Sequence, residues 1–237
     1  MPAPCTTSIL RGLLPGLSGL VAAWGVLASE PDKFPEVTVE GLVRVHDARL
    51  AVVYADPEAD LAQYDRIMLV YPQIAFRKNW AKERQYGVTN SMTVRSADVQ
   101  RIRDRLADEF MAVFESRLEN AGYEITTVAA PDVLLVRPAI VNLDVYAPEL
   151  SRASQVRILA ESAGEMTLYV ELYDSVTGDL LAKALDPRAD RLRAVYGTRS
   201  NAEINKEAAD RIIAAWADTL VAALKAAKSS QGRVSGG

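Results

Sequence analysis

Cysteine and histidine are nearly absent from this chain of 237 residues, which contains one of each. The single cysteine, Cys5, excludes a disulfide within the chain and a zinc site built from cysteines. The single histidine, His46, excludes metal sites that need two histidines and catalysis by paired histidines. We therefore expect no metal and no cofactor.

The sequence motifs of the common enzymes are missing as well. Neither a glycine-rich phosphate loop nor a Gly-x-Ser-x-Gly elbow occurs, although His46 adjoins Asp47. The 31 acidic residues offer many accidental carboxylate pairs, but none has a context that indicates acid–base catalysis. One series of acids could bind a hard cation: Asp56, Glu58 and Asp60. This series lacks the glycine and the final glutamate of a calcium loop, which favours a solvated turn. The sequence thus predicts no catalytic residues and a protein that is not an enzyme.

Excess positive charge is also lacking. The formal net charge is −4, so we expect no general attraction to nucleic acid. Hydrophobic residues make up 49% of the chain and charged residues 24%, which is typical of a globular protein.

The amino-terminal segment has the pattern of a secretory signal peptide. Residues 1–28 contain one charge, Arg11, and no acid. The apolar run that follows Arg11 contains proline and glycine and is shorter than the ~20 residues that span a membrane. Val26 and Ala28 fit the small-residue positions that signal peptidase reads, which predicts cleavage before residue 29 and export to the periplasm. The alternative is a buried or membrane-anchoring helix.

The residues around this cleavage position resemble those of a bacterial lipoprotein signal. Leu27, Ala28 and Ser29 precede a position where the lipidated cysteine would stand, but Glu30 occupies it. Cys5 would leave with the signal peptide, so no thiol remains to carry a lipid. We therefore expect no stable lipid anchor, and at most peripheral association with the outer membrane.

The mature chain is predicted to be one domain. Residues 29–49 are polar and contain two prolines, which favours a lead-in segment outside the core. Residues 50–228 form the domain, and residues 229–237 have nothing to bury and should be disordered.

Hydrophobic periodicity predicts two helices and several strands in this domain. Apolar residues recur at helical spacing after Ser96 and again after Ser200. Strand patterns cover 51–54, 64–71, 123–128 and 133–146, with a break expected at Pro138, and a hairpin runs from 166–173 through a turn at 174–179 to 180–185. The expected fold class is α+β: a single mostly antiparallel sheet, covered on one face by two long amphipathic helices.

Two stretches are candidate interaction surfaces. Phe76 to Trp80 places cations between aromatic residues, and Lys183 to Arg199 contains five cations and two acids, a net charge of +3. The alternatives are a core tryptophan with snorkelling neighbours in the first stretch, and a solvated connector with local ion pairs in the second. The residues that would contact a partner are Arg77, Lys78, Trp80, Arg188, Arg191 and Arg193.

Several blocks of the sequence resemble a known family. They are Gly41 to Trp80, ADVQRIRDRLADEF, the stretch from Ala121 to Glu149, the stretch from Ser162 to Asp186, and Trp216-Ala217-Asp218. In this order they are similar to the bacterial envelope protein family catalogued as domain of unknown function 3313. The resemblance implies an exported envelope protein, often lipidated, with no established activity and no catalytic residues to carry over.

The function expected from these observations is that of a non-enzymatic, soluble periplasmic module. It would bind an envelope protein or an outer-membrane component through its sheet edge or through loops 81–95, 147–163 and 186–199. A carboxylate-dependent hydrolase or carbohydrate-processing enzyme is one alternative, which convergent acids in a deep cleft would favour. A carrier of a small apolar ligand is another, and it predicts an apolar cavity between the sheet and the helices.

Overall fold

The computed structural model describes residues 34–80, 96–144, 164–190 and 202–234. The predicted signal peptide, the loops 81–95 and 147–163, and the residues Arg191 and Arg193 lie outside these ranges. Within the described ranges, no helix combines the length and the apolar character needed to cross a membrane.

Three long strands form the centre of the sheet. They are β6 (Val133–Asp144), β7 (Gly164–Asp174) and β8 (Leu180–Asp190), numbered by their order in the chain, and each pairs antiparallel with the next. Asp174 begins the turn between β7 and β8, and its Oδ1 accepts hydrogen bonds of 2.8 Å from the backbone N–H groups of Val176 and Thr177. Gly178 follows with a φ of 76°, a conformation that glycine adopts without strain. The predicted hairpin is confirmed.

Five shorter strands complete one eight-stranded sheet. They are β1 (Val43–Arg44), β2 (Val52–Ala55), β3 (Arg66–Leu69), β4 (Gln73–Phe76) and β5 (Glu124–Ile125). The strand order is β1-β2-β8-β7-β6-β3-β5, and β4 also pairs with β6. The pairs β3–β5, β3–β6 and β4–β6 are parallel and the other pairs are antiparallel, so the prediction of a single, mostly antiparallel sheet is confirmed.

The break predicted at Pro138 does not occur, because β6 continues through this residue. The carbonyl oxygen of Val136 accepts a hydrogen bond from Val70 N–H, so the backbone groups of Val136 point towards β3. Backbone groups two residues apart in a strand point to the same side, so the nitrogen of Pro138 also faces this side of β6. There β3 pairs with β6 only as far as Val136, and β4 begins pairing at Ala139. The missing N–H of Pro138 therefore falls between two partner strands and costs no ladder hydrogen bond.

The two predicted helices are α1 (Ser96–Asn120) and α2 (Ala202–Val234). Side chains from both helices and from the sheet share one buried core, which includes Phe110, Phe114, Leu118, Leu134, Val136, Ile140, Ile213, Trp216 and Leu224. The structure extends α2 to Val234, past the start of the tail that the sequence predicts to be disordered. Ser229 and Ser230 donate to the carbonyl oxygens of Lys225 and Ala227, so the hydroxyl groups of this segment are satisfied within the helix.

Part of the predicted lead-in segment belongs to the fold. Leu42 is 3% exposed and packs with Val52 and Tyr54 in a second, smaller core. The Tyr54 hydroxyl donates to the carbonyl oxygen of Pro35 at 2.7 Å. The interpretation of residues 29–49 as lying outside the core is therefore wrong for Leu42 and for Phe34, which packs against this second core.

Candidate functional site

A cavity of about 520 Å³ lies between the sheet and α2. Its lining includes Val53 of β2, three β7 residues, Ala182 and Ala184 of β8, and Trp216 of α2. The β7 residues are Leu168, Val170 and Leu172. These strand residues alternate along the chain, so they lie on the same face of the sheet.

Small side chains explain why this space is not filled. Ala182 and Ala184 line the cavity from β8, and Ala222 and Ala223 line it from α2. Larger residues elsewhere in the core set the distance between β8 and α2. The methyl groups of these alanines are too short to fill the space that this distance leaves. The gap is therefore a property of the sequence at these positions.

Charged residues of the cavity lie in the loop before β2 and on β8. Asp47 and Arg49 have exposed side chains in the segment 45–50, which lines the opening, and Lys183 is the third charged lining residue. Lys183 Nζ lies 2.8 Å from Glu40 Oε2. The cavity thus combines an apolar interior with charged groups at its rim, an arrangement that suits an amphiphilic molecule.

A buried carboxylate, Asp186, lies next to this cavity on β8. Its Oδ1 accepts a hydrogen bond of 2.9 Å from the backbone N–H of Ala51. Ala51 directly follows the segment 45–50 at the opening of the cavity, which we call the rim segment. Its Oδ2 accepts from Trp216 Nε1 at 2.7 Å and from Arg188 Nε at 2.6 Å. Asp186 is 5% exposed, and the donors and the adjacent guanidinium compensate the loss of its hydration.

A second polar cluster is centred on Glu171 of β7. Tyr169 and Tyr173 donate to its two oxygens at 2.6 and 2.8 Å, and Arg137 Nη1 lies 3.8 Å from Oε2. Burial, and then the hydrogen bond to Glu171, raise the pKa of Tyr169 above its ordinary value. These residues alternate with the core residues of β7 and do not line the cavity.

The described residues do not gather acids into the cavity, where Asp47 is the one acidic lining residue. They also contain no group of three or more potential metal ligands among histidine, cysteine, aspartate and glutamate. In the acidic series proposed as a turn, Asp56 and Asp60 accept hydrogen bonds from the backbone N–H groups of Glu58 and Ala62. These two carboxylates therefore stabilise local turns.

The residues of the predicted interaction surfaces are placed as follows. Trp80 is 1% exposed and contacts Phe76, with ring centroids 4.4 Å apart and the ring planes tilted by 31°, so its indole is part of the packing. Arg77 Nε donates to Asp144 at 2.9 Å, whereas Lys78 is exposed. Arg188 pairs with Asp186. None of these four residues lines the cavity. Whether they contact a partner stays a prediction.

Sequence reasoning did not identify the residues of the cavity as a site. Arg49, Trp216 and Asp186 belong to segments that are far apart in the chain, and no motif connects them. The available signal was the alternation of alanine with larger residues in β8, which indicates a thin region of the core but not what faces it.

The ion pair between the exposed Glu40 and the partly buried Lys183 gives a prediction for the pH dependence of stability. The hydrogen bond from Lys183, followed by that from Thr38, lowers the pKa of Glu40 from 4.5 to about 2. Because the pKa is lower in the folded chain, this stabilisation is fully present above pH ~4.5 and is lost as the pH falls towards 2. We expect Glu40→Gln to reduce the loss of stability between pH 5 and pH 2, measured by urea unfolding across this range.

The matched control is Glu119→Gln, which changes an exposed acid at the end of α1. This variant should retain the acid sensitivity of the unaltered protein. Equal acid sensitivity of the Glu40 variant and the unaltered protein would contradict the prediction.

Comparison with known proteins confirms the resemblance found in the sequence. The model of a family described as a protein of unknown function, DUF3313, matches residues 38–220. No curated protein matches the chain as a relative.

Solved structures give distant likenesses. A PelC dodecamer from Paraburkholderia phytofirmans is 12% identical, with 71% of this chain and 95% of that chain covered and a TM-score of 0.36. A protein from Helicobacter pylori described as a neuraminyllactose-binding hemagglutinin homolog is 11% identical, with 76% and 93% covered and a TM-score of 0.40. A protein from Caulobacter crescentus described as a lipoprotein is 13% identical, with 73% and 94% covered and a TM-score of 0.34. At these scores the likenesses carry no argument about this chain.

Proposed function

We propose a function from the cavity of this chain, which belongs to the DUF3313 family of proteins of unknown function. The protein is an exported, non-enzymatic envelope protein that binds a single-chain amphiphile in this cavity. The ligand's hydrocarbon chain occupies the cavity, and its polar end stays at the rim. This is the apolar-ligand carrier among the functions that the sequence left open.

The observation that carries this proposal is the apolar cavity itself. Its volume of about 520 Å³ lies within the range of roughly 300–1,000 Å³ that is typical of small-molecule sites. Each methylene group that leaves water for such an interior contributes about 0.8 kcal/mol. A single hydrocarbon chain therefore matches both the size and the lining of the site.

The rim accounts for the polar end of the ligand. Asp47 and Arg49 are exposed at the opening, so they can contact a polar group that remains in water. Exposed charges contribute little affinity but orient a ligand.

The proposal includes an arrangement in which both helices cover the same face of the sheet. Phe114 of α1 and Trp216 of α2 belong to one core with Leu168 and Val170 of β7, and all four residues line the cavity. The Glu171 cluster then lies on the opposite face.

Export to the periplasm is proposed from the signal-peptide pattern of residues 1–28. A binding partner in the envelope, either a protein or an outer-membrane component, remains part of the proposal, because a carrier must collect or deliver its ligand. The non-enzymatic role is proposed because the described lining residues of the cavity include no second acid beside Asp47 for acid–base chemistry.

Binding of a fluorescent fatty acid, 11-(dansylamino)undecanoic acid, tests this function. We expect saturable binding to the purified protein with a blue shift of the dansyl emission. Ala222→Phe places a ring in the cavity, so we expect it to weaken binding by at least about 10-fold, which corresponds to ~1.4 kcal/mol.

The matched control is Ala112→Phe, at an exposed position of α1 that does not line the cavity. This variant should bind the probe as the unaltered protein does. Failure of the unaltered protein to bind the probe, or equal affinity of the two variants, would refute the proposed function.

A further inference from the structure

We infer that Asp186 is a positioning residue for ligand binding, which fixes the rim segment and the Trp216 wall of the cavity to β8. This inference rests on the proposed function, because it assigns a role to a residue beside the same cavity. Asp186 itself does not line the cavity.

The position of Asp186 in the sheet places it at the end of the cavity. It follows Ala182 and Ala184 at alternate positions of β8, and both alanines line the cavity. Its cross-strand partner is Leu168, another lining residue. The carboxylate is therefore on the face of the sheet that forms the cavity, immediately beyond its small side chains.

The hydrogen bonds of Asp186 reach two separate walls of the cavity. One oxygen holds Ala51 N–H at 2.9 Å, and residues 47–50 directly before it line the cavity. The other oxygen holds the indole N–H of Trp216 at 2.7 Å, and this ring lines the cavity from α2. One side chain thus connects a loop, a helix and a strand by hydrogen bonds, in addition to the shared core that packs the helix on the sheet.

The chemistry of a carboxylate suits this task. Both of its oxygens are acceptors, so it can serve three N–H donors at once, including Arg188 Nε at 2.6 Å. An asparagine has the same shape but only one acceptor oxygen, so its amide N–H₂ would face either Ala51 N–H or the Trp216 indole. Asp186→Asn must therefore release one of the two walls.

Two variants test this inference with the same dansyl fatty acid. We expect Asp186→Asn to weaken binding about 10-fold, and Trp216→Phe, which removes the indole N–H, to weaken binding by a similar factor. Because both act through one hydrogen-bonded unit, the double variant should lose much less affinity than the product of the two single losses.

A second measurement separates positioning from general destabilisation. Either the amide of Ala51 or the indole N–H of Trp216, whichever loses its acceptor, should exchange with solvent faster in Asp186→Asn, measured by hydrogen exchange with NMR detection. Val133→Ala, at a fully buried residue that does not line the cavity, should lower stability and leave probe affinity unchanged. Loss of affinity in this control would show that stability alone explains the Asp186 effect and would overturn the inference.

The outcomes distinguish this inference from the function on which it rests. If the unaltered protein does not bind the probe, the proposed function fails. If it binds, but Asp186→Asn binds equally well or keeps both the Ala51 amide and the Trp216 indole N–H protected, the function stands and the role of Asp186 is refuted. Independent, multiplicative losses in the double variant would also refute it.

Discussion

Replacing Val170 by proline is expected to remove a large part of the stability of the protein. Val170 is 9% exposed in β7, which lies between β6 and β8, so each backbone N–H in its middle belongs to a ladder on one side or the other. Proline removes this donor and leaves an acceptor unpaired, at a cost of about 1–3 kcal/mol. Loss of the packed valine side chain costs about 1.5–3 kcal/mol more. The sum, about 2.5–6 kcal/mol, is a large part of the total stability of a typical domain, roughly 5–15 kcal/mol. Circular dichroism and urea unfolding of the purified variant measure the result.

The control for this prediction is the proline that β6 already contains. Pro138 is the cross-strand partner of Val170, and its nitrogen faces the interval between β3 and β4. Pro138→Ala should therefore change the free energy of unfolding by no more than about 1 kcal/mol, the size of the entropy effect on the unfolded chain. If both variants fold equally well, the ladder argument is wrong.

Phe114→Ala is expected to lower the free energy of unfolding by about 3–5 kcal/mol. Phe114 is 2% exposed and stacks on Phe110 with ring centroids 4.1 Å apart. Its removal deletes this contact and enlarges the space beside an existing cavity, because Phe114 also contributes to the cavity lining. The alanines of α2 and β8 that also line the cavity are too short to extend into the gap. Urea unfolding monitored by circular dichroism gives the difference in free energy.

Val128→Ala provides the comparison. Val128 is 67% exposed, so its truncation should change stability by less than about 0.5 kcal/mol. A loss below 1 kcal/mol for Phe114→Ala would mean that the packing of α1 on the sheet contributes far less than its burial indicates.

The elements with strong periodicity could be predicted from the sequence. The α1 pattern gives its start at Ser96, and alternation in β7, followed by turn residues from Asp174, gives the hairpin with β8. These patterns are local, so neighbouring residues determine them whatever the rest of the chain does.

Features that depend on distant contacts could not be predicted. The single strand expected at 64–71 ends at Leu69, and a second strand begins at Gln73, because β6 offers both of them one long edge. Considered alone, Pro138 predicts a break in the strand. In the structure it costs no hydrogen bond, because its nitrogen faces the gap between the end of β3 and the start of β4.

The cavity could not be predicted from the sequence either, because it depends on contacts between distant segments. It forms where alanines of β8 face alanines of α2, and the chain pattern of neither element shows which residues lie opposite. Trp80 illustrates the limit in another way. Its neighbours Arg77 and Lys78 suggest a surface, whereas its ring is 1% exposed and contacts Phe76 inside the fold.

The division of labour along β6 has a mechanical consequence. Residues 133–136 hold β3, residues 139–143 hold β4, and the two ladders share no residue. A pulling force applied to β4 would separate β4 from β6 without breaking the ladder between β3 and β6. This side of β6 can therefore lose one partner strand while it keeps the other.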